Sequence, residues 1–70
     1  MGLRIGRSRI PELLVQSGKT QAALADHLKV SESFISHVIK GKRQLSVTKL
    51  KSTAIFFGCT MDDVYEWIED

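Results

Sequence analysis

The segment TQAALADHLKVSESFISHVIKG, residues 20–41, decides the fold of this chain. Thr20 and Ser31 are residue types that cap the N-terminus of a helix, and Gly41 is the type that ends one. Apolar residues recur at helical spacing between these caps. They are Leu24, Ala25 and Leu28 in the first half, and Phe34, Ile35 and Val38 in the second. The pattern predicts two short helices joined by a short turn.

Two short helices that meet at an angle in this way form a helix-turn-helix. The motif requires a small residue where the helices cross, which Ala25 supplies, and an apolar residue in the turn, which Val30 supplies. Ile35 and Val38 anchor the second helix to the first. The opposite face of the second helix is then free, and its polar side chains suit contacts with the edges of bases or with phosphates. They are Glu32, Ser33, Ser36, His37 and Lys40.

Further helices are predicted on both sides of this segment. One begins near Pro11, whose ring suits the first turn of a helix, and ends at Gly18. Another is capped by Ser46 and ends at Gly58. The inward stripe of that later helix is predicted to consist of Val47, Leu50, Ala54 and Phe57.

The last predicted helix is TMDDVYEWIED, residues 60–70, with Thr60 as its cap. Asp62 and Asp63 favour the positive end of the helix macrodipole. The predicted core-facing residues are Met61, Val64, Tyr65 and Ile68. With this helix the chain is predicted to be all-α, a compact five-helix bundle that contains a helix-turn-helix.

The composition is that of one small globular domain. The chain has 70 residues, of which 43% are hydrophobic and 26% are charged. Cys59 is the only cysteine, so no disulfide can form within the chain, and one thiol fits a reducing cytoplasm. No apolar run approaches the roughly 18 residues that span a bilayer. We therefore expect a cytoplasmic protein without a membrane anchor.

Sequence features of enzymes and of metal sites are absent from the chain. It has no glycine-rich phosphate loop, no paired histidines and no nucleophile elbow. His27 and His37 lie ten positions apart without a cysteine pair near them, which does not match the spacing of zinc ligands. We expect no enzymatic activity, no cofactor and no bound metal.

Charge divides the chain into a basic and an acidic part. Residues 1–51 contain all ten Lys and Arg together with three acidic residues, whereas residues 52–70 contain five acidic residues and no basic one. This asymmetry suggests an anionic partner on one side of the domain, either nucleic acid or a membrane surface. Binding to a membrane surface needs an amphipathic helix with basic residues along its polar face, and no predicted helix has one.

Matches to a known family extend over residues 9–66. The matching positions are Gln21, Ala25, Val30-Ser31, Ile35-Ser36, Gly41-Lys42, Leu50, Ala54, Phe57-Gly58 and Met61 to Tyr65. At this joint spacing the chain resembles the phage-repressor and Cro-like helix-turn-helix domains of the XRE type. The resemblance implies a lambda-repressor-like five-helix bundle that binds operator DNA.

The resemblance also implies roles for individual residues. Glu32, Ser33 and His37 fall where the family reads bases. Ser36 shares their face of the helix and belongs to the same predicted set. Gln21 falls where the family has a glutamine that bonds a phosphate and braces the recognition helix. The predicted phosphate ligands are Thr20, Gln21, Lys40, Lys42 and Arg43.

Three departures from the family pattern stand within or after the motif. Lys29 occupies the turn position where the family has a glycine in the left-handed conformation, at a cost of about 1 kcal/mol. Leu45 stands where many relatives have proline. Ile39 and Lys40 replace the Glu-Asn pair that usually precedes Gly41, which alters the expected phosphate contact at that site.

Residues 1–8 are predicted to form a basic N-terminal arm ahead of a helix-turn-helix domain at residues 9–70. Arg4 and Arg7 in this segment, together with Arg9 directly after it, supply positive charge and are the predicted arm contacts. Two interpretations stay open. The segment is either a frayed terminus with solubilising charge or an arm that contacts DNA.

Three apolar residues are not needed by the predicted core, namely Ile55, Phe56 and Trp67. An exposed apolar patch on so small a domain is typical of an interface. We therefore predict that these residues form the interface of a homodimer. The alternative is that Phe56 or Trp67 closes the bottom of the core.

Together these features predict a sequence-specific regulator of transcription that binds double-stranded DNA. The resemblance favours a homodimeric repressor of phage, prophage or bacterial type, with the helix that begins at Glu32 in the major groove. A single domain offers no obvious place for a small-molecule inducer. The alternative function is a protein-interaction module on the same fold, which binds another regulator and has little or no DNA binding of its own. Glu32, and the absence of asparagine at position 40, favour that alternative.

Overall fold

A computed structural model of the chain describes residues 2–69. Its elements in chain order are β1 (Leu3–Ser8), α1 (Ile10–Ser17), α2 (Gln21–Leu28), α3 (Glu32–Ile39), α4 (Val47–Phe57), a single 3₁₀ turn (Met61–Asp63) and β2 (Tyr65–Glu69). Met1 belongs to the predicted arm and Asp70 to the predicted last helix, and both lie outside the described residues.

Side-chain caps begin three of the four helices where the sequence predicts them. The hydroxyl oxygens of Thr20, Ser31 and Ser46 each accept a hydrogen bond from the backbone N–H three residues further on, at 3.0, 3.1 and 3.3 Å. Gly18 and Gly58 end α1 and α4 in the left-handed conformation, each with φ +69°. No helix within residues 2–69 has the length and apolar character needed to cross a membrane.

The predicted fifth helix is wrong. Thr60 does begin a turn, and its backbone N–H donates to the Asp63 carboxylate at 3.2 Å. Only the single 3₁₀ turn follows, after which the chain becomes extended as β2. Residues 2–69 therefore fold into four helices with a two-stranded antiparallel sheet, and not into an all-α bundle of five helices.

The pairing of β1 with β2 explains why the end of the chain is extended and not helical. In β2 the aromatic residues Tyr65 and Trp67 alternate with Glu66, a pattern that suits a strand once a partner is present. The partner is β1, which occupies most of the predicted basic arm, with Ile5 paired to Trp67 and a bulge before Ser8. Because the strands lie at opposite ends of the sequence, no local signal predicts this pairing.

Gly6 allows the strands to pack closely. A Cβ atom at this position would lie 3.0 Å from Cδ1 of Ile68 and 3.2 Å from the Glu66 carbonyl oxygen. The side chain of Ile68 therefore covers the backbone of Gly6. We refer to β1 and β2 together as the terminal ribbon.

The core lies between the helices and the start of β2. Its buried apolar residues are Ile10, Leu24, Ala25, Leu28, Ile35, Val38, Leu45, Leu50, Ala54, Val64 and Tyr65. Val47 was predicted in this core but is 76% exposed. It directly follows the Ser46 cap, on the outer side of the first turn of α4. Thr53 is buried instead, and its hydroxyl donates to the Lys49 carbonyl at 2.8 Å.

Candidate nucleic-acid interface

The turn between α2 and α3 depends on one strained residue. Lys29 adopts φ 58° and ψ 45°. This is the left-handed conformation predicted for it, because Lys29 stands where the family has a glycine. The N–H groups of Lys29 and Val30 donate to the Asp26 and Ala25 carbonyls at 3.2 and 2.9 Å. These bonds close the end of α2 and turn the chain into α3 within three residues.

A side-chain bond links the N-terminal ends of the two helices. Nε2 of Gln21 donates to the Glu32 carbonyl oxygen at 3.2 Å. This contact fixes the first turn of α3 relative to the first turn of α2. Thr20 and Gln21 both stand at the N-terminus of α2, where free backbone N–H groups favour an anion. Their contact with a DNA phosphate stays a prediction.

The polar side chains predicted to read bases lie together on the outer side of α3. Glu32, Ser33 and His37 are exposed, and Ser36 is half-buried. At 3.6 residues per turn these four positions occupy less than half of the helix circumference. The opposite face of α3 buries Ile35, which packs into the core. The helix therefore presents one polar face to solvent and one apolar face to the domain.

The basic loop after α3 folds back onto the last turn of that helix. The N–H groups of Lys42 and Arg43 both donate to the His37 carbonyl, at 2.8 and 3.3 Å. Gly41 permits this reversal with φ +81°. Lys40, Lys42 and Arg43 are exposed, and within residues 2–69 none of the three has an ion-pair partner. The structure thus brings three free cations next to the outer face of α3.

The basic residues near the N-terminus lie in a different environment. The Arg7 guanidinium donates to both Glu12 carboxylate oxygens at 3.1 and 2.6 Å, and to Glu66 at 3.0 Å. Hydrogen bonding to Glu12 raises the pKa of Arg7, and the bond from Arg7 lowers the pKa of Glu12. Arg4 lies on β1 opposite Ile68, and the backbone N–H of Arg9 donates to the Val64 carbonyl at 2.8 Å. Arg7 therefore joins β1 to α1 and β2 rather than extending as a free arm.

The residues of the predicted dimer interface lie on two elements, Ile55 and Phe56 on α4 and Trp67 on β2. Phe56 is half-buried, and the centroid of its ring lies 5.1 Å from that of Phe57. The Lys19 ammonium lies 4.5 Å from the centroid of the Phe56 ring. Ile55 is 64% exposed on α4. Trp67 is 40% exposed on β2, where it pairs with Ile5, and its indole N–H donates to the Asp62 carbonyl at 3.1 Å.

Sequence reasoning missed one polar group. Tyr65 was predicted as a core residue and is buried, but its hydroxyl has no hydrogen-bond partner among residues 2–69. A tyrosine at a predicted core position indicates a buried polar group, because phenylalanine would fill the same space without a polar atom to satisfy.

Comparison with protein-family models shows that residues 12–64 fit the model described as helix-turn-helix. The matched span begins after β1 and ends before β2, so it contains the whole candidate interface and excludes the terminal ribbon. A search of curated proteins returned no match.

Proposed function

The chain belongs to the helix-turn-helix family of the XRE type, and from this premise we propose that it is a repressor that binds a specific operator in double-stranded DNA. Membership of the family indicates a DNA-binding regulator of transcription. One observation carries the proposal further. The polar outer face of α3 lies beside three exposed cations that have no ion-pair partner within residues 2–69.

The proposed mechanism places α3 in the major groove. Glu32 is suited to accept from the N4 amine of cytosine, and Ser33 and His37 are suited to donate to acceptors on base edges. The loop cations then contact backbone phosphates on one side of the groove, and the N-terminus of α2 contacts phosphates on the other. The Gln21 bond to the Glu32 carbonyl holds the two sets of contacts at a fixed angle.

Repression follows from occupancy alone. A bound domain excludes other proteins from the operator, which requires no further catalytic or interaction surface. We place this activity in the cytoplasm, where bacterial and phage operators lie. Binding as a homodimer would add a second recognition helix about 34 Å away, in the next major groove of the same DNA face.

We propose the outward apolar face of the terminal ribbon, with Ile55, as the dimer surface. Trp67 and Leu3 line one exposed cavity on this face, and Ile5 pairs with Trp67. Sedimentation equilibrium of Trp67→Glu tests the surface, with Val15→Glu as a matched control because Val15 is an exposed valine on α1. We expect only Trp67→Glu to yield a monomer, with circular dichroism confirming that both variants fold. A wild type that is monomeric at high micromolar concentration, both free and on DNA, would contradict the dimer.

The decisive experiment for DNA binding is selection of bound sequences from random duplexes, followed by anisotropy titrations. Log affinity is expected to fall with log salt at a slope of about −0.9 per phosphate contacted. His37→Ala should cost about 1–3 kcal/mol on the selected site and relax the preference at one base pair. Lys42→Ala should weaken selected and scrambled duplexes alike, and Lys51→Ala, at an exposed lysine outside the predicted contacts, should change neither. Absence of duplex binding at low salt would instead support a protein-interaction module.

A further inference from the structure

A single residue connects the first strand of the terminal ribbon to the helices. β1 ends at Ser8 and α1 begins at Ile10, so Arg9 alone joins them. Arg9 is exposed, and its side chain forms no capping bond to α1. Its backbone has φ −96° and ψ 5°, and rotation of ψ to an extended value would direct β1 away from its own domain. Arg9 is therefore suited to act as a hinge.

The contacts that hold β1 in place lie across this hinge. β1 pairs with β2 from Leu3 to Ser8, and Arg7 bonds to Glu12 and Glu66. A second copy of the chain offers the same strand and the same two carboxylates. Exchange of β1 between two copies would restore all of these contacts and would change the path of the chain only at the hinge.

The charges of the two strands favour pairing of β1 with β2 and oppose pairing of identical strands. β1 carries Arg4 and Arg7 and no acidic residue, whereas β2 carries Glu66 and Glu69 and no basic residue. Two copies of β1, or two copies of β2, would bring like charges together, which destabilises a strand pair. An open β1 is therefore directed to the β2 strand of a second copy.

We propose that two copies of the chain exchange β1 reciprocally, so that each terminal ribbon of the dimer contains β1 of one copy and β2 of the other. This inference deepens the homodimer of the proposed function and rests on that part of it. Separation of the two copies then requires both ribbons to open, so the dimer persists on dilution. The two recognition helices stay joined at the low concentrations typical of operator binding.

A disulfide across the ribbon tests the exchange. Leu3 and Glu69 are exposed and lie directly opposite each other. The Cα atoms of such a pair are about 4.5–5.5 Å apart, within the range of a disulfide. The test protein carries Leu3→Cys and Glu69→Cys, with Cys59→Ser to remove the native thiol. The dimer is isolated by size-exclusion chromatography, oxidised, and analysed by SDS gel electrophoresis without reductant. We expect covalent dimers.

The position of the disulfide separates an exchanged dimer from a dimer that packs two closed ribbons. Closed ribbons would form the bond within each chain, so the oxidised dimer would run as monomers in SDS, which would overturn the exchange and leave the proposed dimer surface standing. The controls carry Leu3→Cys or Glu69→Cys alone and should remain monomers in SDS. Covalent dimers from a control at the same yield would also contradict the exchange. Absence of any dimer at high micromolar concentration, even after refolding at that concentration, would overturn both the exchange and the homodimer.

The rate at which the copies change partners gives a second readout. Unlabelled and ¹⁵N-labelled dimers are mixed, and native mass spectrometry follows the appearance of mixed dimers. Gly6→Ala crowds the ribbon against Ile68 and should speed this process about tenfold or more, whereas Gly2→Ala should leave the rate unchanged. Equal rates for the two variants would contradict ribbon opening as the step that separates the copies. Neither measurement involves DNA, so a failure of operator binding would be detected separately, in the duplex titrations.

Discussion

The helix-turn-helix and the terminal ribbon are stabilised over very different distances in the sequence. In α2 and α3 the caps at Thr20 and Ser31 bond to backbone three residues away, and the Gln21 bond spans 11 residues. In the ribbon the Arg7–Glu66 pair spans 59 residues, and Leu3 pairs with Glu69. The contacts of the first region can be read from neighbouring residues. The contacts of the second exist only after the whole chain has folded.

The largest expected effect tests whether the helical core dominates stability. Ile35 on α3 is fully buried, so Ile35→Ala should lower the free energy of unfolding by about 2–5 kcal/mol. The same substitution at Ile5 in the ribbon should cost less, because that side chain is partly exposed. Chemical denaturation of both variants measures the difference. Equal losses would show that the ribbon is as important to the fold as the core.

A substitution at Gly6 tests the ribbon by itself. Gly6→Ala places a Cβ 3.0 Å from the Ile68 side chain, and the adjustment should cost about 1–3 kcal/mol. Gly2→Ala is the matched control, since no atom lies within 4 Å of a Cβ there. Thermal unfolding monitored by Trp67 fluorescence reports the change. An additional Ile68→Ala should recover part of the loss, and no recovery would place the strain elsewhere.

Lys29 offers a test of strain in the helix-turn-helix. Lys29→Gly should raise the free energy of unfolding by about 0.5–1 kcal/mol, because glycine adopts φ 58° without the steric cost of a Cβ. Lys29→Ala removes the same charge and keeps the strain, so it should give no such gain. Urea denaturation compares the two. If alanine and glycine stabilise equally, the lysine charge and not the backbone is responsible.

The smallest expected effect is the loss of stability at acidic pH. Hydrogen bonding from Arg7 holds the pKa of Glu12 below its ordinary value of 4.5. The folded state therefore favours the ionised form, and the resulting stability is present above pH 4.5 and is lost as the pH falls through the lowered pKa. The effect should be small because both side chains are about half exposed to solvent, which screens their interaction.

The free energy of unfolding of the wild type and of Glu12→Gln, measured between about pH 6 and pH 3, gives this contribution. The variant should reduce the acid dependence without abolishing it. Asp63 adds a similar effect, because bonds from the Thr60 backbone and hydroxyl lower its pKa. An unchanged acid profile in Glu12→Gln would show that the Arg7–Glu12 pair does not stabilise the folded state.

The sequence predicts those parts of the fold whose determinants are local. Caps at Thr20, Ser31 and Ser46 locate three helices, and the helix-turn-helix follows from the apolar positions between them. The ribbon could not be predicted in this way. The residues after Thr60 combine a good helix start with an alternating aromatic pattern, and only the distant partner Leu3–Ser8 decides between helix and strand.

In the candidate interface, too, features with local determinants could be predicted from the sequence and features that depend on distant residues could not. The outer face of α3 could be predicted because helical spacing alone brings Glu32, Ser33 and His37 together. The pairing of Arg7 with Glu12 and Glu66 could not, because Arg7 differs from Arg4 and Arg9 only in its neighbours across the fold. Likewise, nothing near Tyr65 in the sequence indicates that its hydroxyl has no partner.

The order of protein synthesis gives the pairing of β1 with β2 a temporal consequence. During translation β1 is synthesised before β2, and more than fifty residues separate the two strands. At about 5–20 residues per second this leaves β1 without its partner for roughly 3–10 s. During that interval its hydrogen-bonding edge is open to other nascent chains. The charges of Arg4 and Arg7 on the waiting strand would then repel an identical strand and so reduce aggregation during translation.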